Sequence, residues 1–197
     1  MTAVAYVVED GGWVRAADAA TQAVSQLGSP NCDERPDGVA TDLIVIHNIS
    51  LPPGVFGSGA VADFFLNRLD WDAHPFYEHI RGVRVSAHFL ITRDGALQQF
   101  VSCDARAWHA GVSQFAGRTR CNDFSIGIEL EGTDTVPFDD AQYLTLAALV
   151  RALCAHYPIA ALAGHADIAP GRKTDPGPAF DWVRLQSACN LPDRYFP

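Results

Sequence analysis

The chain contains a continuous hydrophobic run, Leu43-Ile44-Val45-Ile46, in which three of the four residues are β-branched. A short run of this kind is typical of a strand that is buried on both faces. The polar residues His47 and Asn48 follow it directly. We therefore expect the strand to deliver these two side chains to a site at its C-terminal end.

Two later stretches alternate between polar and apolar residues, as a strand with two different faces does. In the first, Arg84, Ser86 and His88 alternate with apolar residues as far as Ile91, which predicts one polar and one packed face. The turn Arg93-Asp94-Gly95 then predicts a hairpin with residues 96–101.

The second alternating stretch runs from Phe124 to Leu130 and places its large apolar residues on one face. The other face carries Ser125, Gly127, Glu129 and Glu131. Because glycine has no side chain, Gly127 is expected to leave room for a ligand beside Glu129.

Helix signals stand between and after these strands. Ser58 or Gly59 is placed to cap a helix that runs through Leu69. The sequence Phe138-Asp139-x-x-Gln142 has the form of a capping box, and the helix that it begins is ended by Pro158. A short strand over residues 160–164 and a last helix over residues 178–186 follow, whereas residues 1–40 form an irregular lead-in.

Length and composition fit one globular domain spanning residues 1–197. The chain is 48% hydrophobic, which is enough for a substantial core. Its formal charge is −9 and its pI is near 5.0, whereas nucleic-acid-binding proteins usually carry a basic patch. We therefore expect no nucleic-acid partner. For the oligomeric state, a monomer is the default expectation.

The start of the chain and the cysteines predict a cytoplasmic protein. Met1 to Val8 has no basic residue before its apolar stretch, so it does not have the form of a secretion signal. No run approaches the roughly 18 apolar residues of a membrane span, so no membrane partner is expected. The five cysteines are odd in number and lack C-x-x-C spacing, which favours reduced thiols.

Candidate metal chemistry lies in residues 164–177, where three glycines and two prolines oppose a regular helix or a sheet ladder. His165 and Asp175 are both ligand types that Zn²⁺ accepts, and a catalytic zinc needs three protein ligands and an open position. We take His47 as the third ligand. The alternative is that His47 is an ordinary buried histidine and Asp175 a helix cap.

Glu129 is the candidate general base, and Lys173, two residues before Asp175, is placed to stabilise negative charge on a metal-bound carbonyl oxygen. The alternatives are a solvated sheet carboxylate and a surface lysine. His88, Trp108 and His109 are candidates for lining a substrate groove, although a lone histidine is more often a packing residue. A Cys–His nucleophile is disfavoured because no cysteine has a recognisable flanking signature.

Five motifs carry a resemblance to a known family over residues 36–185. They are Val45 to Gly54, Arg84 to His88, Ala107 to Gly111, Asn122 to Asp134 and Gly164 to Gly177. In these segments the chain resembles the zinc-dependent N-acetylmuramoyl-L-alanine amidases, and among them the cytoplasmic AmpD-type enzymes. The resemblance implies an α/β (mixed α+β) domain in which helices flank a central mixed sheet, as in phage-type amidases and peptidoglycan recognition proteins.

The resemblance also implies roles for individual residues. It implies that His47, His165 and Asp175 bind Zn²⁺, that Glu129 activates water and that Lys173 supports the oxyanion. It further implies a muropeptide groove formed by Asn48, Arg84, His88, Trp108, His109, Arg120 and Ala169. Residues 1–35 lie outside the motifs, and their contribution is left open.

The implied reaction is hydrolysis of the amide between anhydro-N-acetylmuramic acid and L-alanine of the stem peptide. In this family the reaction recycles cell-wall fragments and removes muropeptides that signal β-lactamase induction. An alternative is a muropeptide-binding sensor of the same fold that has lost catalysis. Another is an amidase that acts on intact peptidoglycan outside the cytoplasm.

Overall fold

The computed structural model describes residues 4–197. The expectation that Met1 to Val8 is not a secretion signal therefore lies partly outside the described residues. The strands are β1 Tyr6–Val8, β2 Val14–Ala16, β3 Ser25–Gln26, β4 Cys32–Glu34, β5 Leu43–Ile49, β6 Phe89–Ile91, β7 Leu97–Gln99, β8 Ala105–Ala107, β9 Gln114–Phe115, β10 Arg118–Thr119, β11 Ser125–Glu131 and β12 Ala161–Gly164.

The helices are α1 Ala60–Phe65, α2 Asp140–His156, α3 His165–Ile168 and α4 Trp182–Cys189. Short 3₁₀ helices span Pro75–Ile80, Cys121–Asp123 and Asp193–Tyr195. Within the described part of the chain, no helix has the length and apolar character needed to cross a membrane.

A six-stranded mixed sheet with the order β12-β5-β11-β6-β7-β3 forms the centre of the molecule. Strands β12, β5, β11 and β6 run parallel to one another, β7 is antiparallel to β6, and β3 pairs with β7 in parallel. The pairs β1–β2, β4–β8 and β9–β10 form separate antiparallel ribbons. This arrangement confirms the expected α/β fold with a mixed sheet and flanking helices.

The two faces of β5 and β11 have different partners. Ile44 and Ile46 of β5 belong to the same core cluster as Ile126 and Ile128 of β11, and α2 packs in that cluster. Val45 belongs to a second cluster on the opposite face. Residues 43–46 are fully buried, which confirms a strand covered on both sides.

The hairpin after Ile91 and the capping box of α2 are confirmed. Gly95 adopts a φ of 83° in the turn between β6 and β7, a conformation that glycine reaches without strain. The backbone N–H of Asp139 donates to Gln142 Oε1 at 3.0 Å, and α2 ends just before Pro158.

The strand predicted from Arg84 is shorter than expected, because only Phe89–Ile91 is paired in the sheet. Ser86 N donates to Trp108 O, whereas His88 N donates to Gly127 O, so the preceding residues bond to two different elements instead of one ladder. Ser86 and His88 are also buried, and the expected polar face is therefore wrong.

The predicted bounds of two helices are also wrong. Helix α1 ends at Phe65 rather than Leu69, and Asn67 takes the left-handed conformation with a φ of 57°, which does not continue a helix. The last helix begins at Trp182 because the Asp181 side chain accepts from Arg184 N at 2.8 Å.

The segment 164–177 contains a short helix that its glycines and prolines did not predict. Helix α3 occupies the four residues between Gly164 and Ala169, just before Pro170. Gly164 N donates to Asp167 Oδ2 at 2.7 Å, which satisfies one amide at the start of the helix. The rest of the segment is irregular, as expected.

Candidate active site

Three side chains converge at the carboxyl edge of the sheet. His47 lies near the end of β5, and His165 directly follows the neighbouring parallel strand β12, in which Gly164 pairs with Ile46. Parallel strands end at the same edge, so the two imidazoles meet there. Asp175 joins them because its carbonyl oxygen accepts from Ala166 N of α3 at 2.8 Å.

The three potential ligand atoms form a nearly equilateral triangle. His47 Nδ1 lies 3.0 Å from His165 Nδ1, and each of these nitrogens lies 3.1 Å from Asp175 Oδ2. Both histidines are buried. Burial lowers the pKa of His47 to about 4, so its imidazole is neutral at neutral pH.

The hydrogen bonds behind this triangle assign the tautomers of both histidines. His165 Nε2 lies 3.2 Å from Ala110 O, which only accepts, so Nε2 carries the proton. Ser125 Oγ donates to Cys121 O at 2.6 Å and therefore accepts from His109 Nε2 at 3.3 Å. His109 Nδ1 is then the acceptor for His47 Nε2 at 3.0 Å.

With both Nε2 atoms protonated, His47 and His165 point their Nδ1 lone pairs at each other and at the Asp175 carboxylate. Three acceptors at this separation repel one another unless a positive charge lies between them, and a metal cation would supply that charge. Ligands at about 2.0–2.2 Å around a tetrahedral zinc are separated by roughly 3.3–3.6 Å, within a few tenths of the observed distances. Two imidazole nitrogens and one carboxylate oxygen therefore fit Zn²⁺.

Glu129 lies beside the triangle because β11 is the other neighbour of β5, and its pairing register puts Glu129 opposite His47. The Glu129 side chain is buried, and its Oε2 atom has no hydrogen-bond partner among the described residues. Burial raises the pKa of the Glu129 carboxyl well above its ordinary value, the Asp175 charge adds to this shift, and the Lys173 ammonium opposes it.

Glu131, two residues further along the same face of β11, is also buried but has a structural role. Its Oε1 accepts from Gly57 N at 2.6 Å, and its Oε2 accepts from Arg93 N at 3.2 Å. Both oxygens are therefore occupied by backbone donors, in contrast to the open oxygen of Glu129. Of the two carboxylates, Glu129 is the one available for chemistry.

A cavity of about 270 Å³ opens over the triangle, and its lining includes Glu129, His165, Lys173 and Asp175. Asn48 and Trp108 line the same cavity. The Asn48 amide donates to Asp134 Oδ1 at 2.7 Å and to Pro176 O at 3.1 Å. The indole N–H of Trp108 donates to Asp33 Oδ1 at 3.2 Å, which leaves the ring to contact a ligand.

Other residues expected in the groove lie at neighbouring cavities. Arg84 lines a cavity of about 260 Å³ that shares Trp108, His109 and Lys173 with the first. Arg120 and Ala169 line a third cavity of about 490 Å³, which shares Gly111 and Arg172 with the second. Each cavity shares lining residues with the next, so the three form a row along one side of the molecule.

His88 and Gly127 differ from expectation. His88 is completely buried, and its Nδ1 accepts from Gly127 N at 3.0 Å, so the ring lies beneath the cavity instead of lining it. The space above Gly127 is filled by His109, since a Cβ built there would lie 2.4 Å from His109 Cγ. Gly127 thus makes room for a protein side chain, not for a ligand.

Several supporting residues were missed by the sequence analysis. Arg35 donates to the carbonyl oxygens of Cys103, Asn122, Asp123 and Ser125, and so joins the N-terminal segment to the start of β11. Arg172 donates to Ala110 O at 2.7 Å, the carbonyl that also accepts from His165. Their long-range partners leave no local sequence signal.

Comparisons with known proteins show the family of the chain. The family described as N-acetylmuramoyl-L-alanine amidase matches residues 37–178. The 1,6-anhydro-N-acetylmuramyl-L-alanine amidase AmpD of Escherichia coli (strain K12) is 60% identical, over 82% of this chain and 89% of that protein. A crystal structure of a selenomethionine AmpD derivative superposes with a TM-score of 0.84 at 53% identity, over 91% of this chain and 97% of that chain.

A more distant structure contains a ligand. It is a complex of the Escherichia coli N-acetylmuramyl-L-alanine amidase AmiD with the substrate anhydro-N-acetylmuramic acid-L-Ala-D-γ-Glu-L-Lys. This structure is 31% identical to the chain, with a TM-score of 0.55, over 93% of this chain and 65% of that chain.

Proposed function

The chain belongs to the N-acetylmuramoyl-L-alanine amidase family, and we propose that it performs its reaction with a zinc ion held by His47, His165 and Asp175. It is a 1,6-anhydro-N-acetylmuramyl-L-alanine amidase, which hydrolyses the amide between the lactyl group of the anhydro sugar and L-alanine. The observation that carries the zinc assignment is the convergence of three acceptor atoms 3.0–3.1 Å apart.

A zinc ion bound there would act as a Lewis acid toward the scissile carbonyl and would lower the pKa of a water ligand to about 7. The protein groups then move the protons. Glu129 accepts a proton from the water whose oxygen attacks the carbonyl carbon. It returns that proton to the departing nitrogen as the C–N bond breaks, which yields a carboxylate on the sugar and a free amine on L-alanine.

The burial of Glu129 suits both halves of this task. A carboxyl whose pKa is raised holds a proton long enough to pass it on, and the unpartnered Oε2 atom is free to do so. Lys173 lines the same cavity, and we assign its ammonium to the negative charge that develops on the carbonyl oxygen. No covalent bond to the protein is required.

We assign the neighbouring cavities to the rest of the muropeptide. Trp108 offers a ring surface, and Asn48 lies beside the ligand triangle. Arg84 and Arg120 supply the positive charge that a stem-peptide carboxylate needs in an otherwise acidic protein, by paired hydrogen bonds. Ala169 lines the cavity with Arg120.

The cellular role that we propose is the recycling of cell-wall fragments in the cytoplasm. Soluble anhydro-muropeptides would be the substrates, and their removal would lower the signal for β-lactamase induction. The hydrolase assignment is favoured over a binding-only sensor because all three ligands are present and because His165, Asp175 and Glu129, with its unpartnered Oε2 atom, line one cavity.

The test compares Glu129→Gln with Glu131→Gln, two changes of the same size on one face of β11. Glu129→Gln should lower turnover on anhydro-muropeptide about 10²–10⁴-fold with zinc content unchanged, because it removes only the base. Glu131→Gln should keep the turnover number within the range of the wild type and lower thermal stability, since its oxygens accept from Gly57 and Arg93.

Mass spectrometry of the released peptide measures turnover, and metal analysis of the same samples measures zinc content. Unchanged turnover in Glu129→Gln would remove Glu129 from the mechanism. A parallel assay on intact peptidoglycan distinguishes a recycling enzyme from an amidase that acts on the polymer. Equal cleavage of the polymer would contradict a recycling enzyme.

A further inference from the structure

His109 uses both of its ring nitrogens inside the protein. Its Nδ1 accepts from His47 Nε2 at 3.0 Å, and its Nε2 donates to Ser125 Oγ at 3.3 Å. The donor and acceptor roles in these bonds follow from Ser125, whose hydroxyl donates to Cys121 O and can therefore accept from His109. A histidine in this arrangement has no nitrogen left for a hydrogen bond to substrate.

The surrounding structure also fixes the position of the His109 ring. Its face lies against the α-carbon of Gly127, where even a methyl group would approach to 2.4 Å. Its backbone N–H donates to Asn122 Oδ1 at 3.1 Å. The His88 and His47 rings pack edge-on at centroid distances of 5.7 and 5.0 Å. The imidazole is therefore held in one orientation.

We propose that His109 is a positioning residue for the metal site rather than a substrate-binding residue. By accepting from His47 Nε2, it keeps the proton of His47 on that nitrogen and presents the Nδ1 lone pair to the metal. Ser125 keeps His109 in the tautomer that can accept. We call the chain of bonds from His47 through His109 and Ser125 to Cys121 O the relay.

The relay has a counterpart on the other histidine ligand. His165 Nε2 donates to Ala110 O, a backbone carbonyl that accepts in any protonation state. His47 instead depends on a side chain that accepts in only one tautomer, so its orientation is sensitive to single substitutions at two further positions. This inference rests on the proposed zinc function, because the relay matters only if His47 is a ligand.

The decisive comparison is His109→Leu against His109→Asn. The two side chains are almost the same size, but only asparagine offers an acceptor near the position of Nδ1. Zinc affinity of the full chain, measured by competition with a chromophoric chelator, should fall about 10–100-fold in His109→Leu. It should be largely restored in His109→Asn. Ser125→Ala, a smaller change, should weaken zinc binding in the same direction.

A second readout is the imidazole N–H resonance of His47 in the ¹⁵N NMR spectrum of the zinc-loaded protein. It should be protected from solvent exchange in the wild type and in His109→Asn, and should exchange rapidly in His109→Leu. Equal zinc affinity in His109→Leu and His109→Asn, with equal protection of this proton, would overturn the relay while leaving the zinc site intact.

Failure of the proposed function gives a different result. If the wild-type chain does not bind zinc, or if His165→Ala binds it as tightly as the wild type, the metal site itself is refuted. If His109→Leu does not fold, Ser125→Ala decides the question, because wild-type zinc affinity in that variant would also overturn the relay.

Discussion

Replacing Gly127 by alanine should displace the His109 ring without altering any zinc ligand. A Cβ at Gly127 would lie 2.4 Å from His109 Cγ, whereas carbon atoms in contact are about 3.5–4.0 Å apart. The ring must therefore retreat by roughly 1 Å. A retreat of that size would lengthen or bend the 3.0 Å bond from His47 Nε2 and so weaken it.

Overpacking of this kind lowers the free energy of unfolding by about 1–3 kcal/mol. For a chain of this length, each kcal/mol changes the melting temperature by about 2–4 °C, so Gly127→Ala should unfold about 2–12 °C earlier. Loss of the relay should also weaken zinc binding roughly tenfold. Thermal unfolding of the zinc-free protein and chelator competition measure the two effects separately.

Gly132→Ala is the matched control, because its Cβ would lie 2.4 Å from Phe138 Cε1. It introduces the same degree of overpacking directly after β11, at a place that contacts neither the ligands nor the relay. Its melting temperature should fall to a similar extent while its zinc affinity stays at the wild-type value. A similar zinc affinity in both alanine variants would refute the argument that His109 supports the metal site.

Three further outcomes follow from the same structure. Lys173→Ala should lower turnover about 10²–10³-fold with zinc retained, as measured by peptide release and metal analysis. Burial lowers the pKa of His88 from 6.5 to about 3, so the unfolded chain binds the proton first, and His88 alone should cost about 2 kcal/mol of stability as the pH drops from about 7.5 to 5. In urea titrations of zinc-free protein, His88→Gln should reduce the pH dependence by that amount, and the buried His47 and His109, whose pKa values are also lowered, should keep the rest. Arg35→Met should lower the free energy of unfolding by about 3 kcal/mol in urea, because it leaves buried carbonyl groups without donors.

The central strands and the long helix were predictable because their signals are local. A continuous apolar run defined β5, alternation defined β11, and the capping box together with Pro158 defined α2. The same local reasoning placed His47 and His165 at the ends of strands. The ends of these strands meet because the strands are neighbours in the sheet. Neither segment alone predicts the order of strands in the sheet.

The errors arose where tertiary contacts override a local pattern. Alternation in residues 84–88 suggested a half-exposed strand, but each buried polar side chain there is satisfied by a partner far along the chain. His88 accepts from Gly127 N, and Ser86 donates to Asn31 O at 2.6 Å. A polar residue can therefore follow a surface pattern and still belong to the core.

The contribution of residues 1–35 is visible only in the fold. Strand β4 pairs with β8, its Asp33 accepts from the Trp108 indole, and Arg35 follows directly with bonds to the start of β11. The segment thus supports one wall of the cavity from behind. Each contact joins residues more than 60 positions apart, so no motif in the segment itself predicts it.

The central claim is that hydrolysis depends on a metal ion bound by His47, His165 and Asp175. The most direct measurement is release of peptide from anhydro-muropeptide by purified protein before chelation, after removal of metal by a chelator, and after addition of Zn²⁺. We predict zinc in equimolar amount with the chain, loss of release on chelation and recovery with Zn²⁺. Release that persists in metal-free protein would contradict the account.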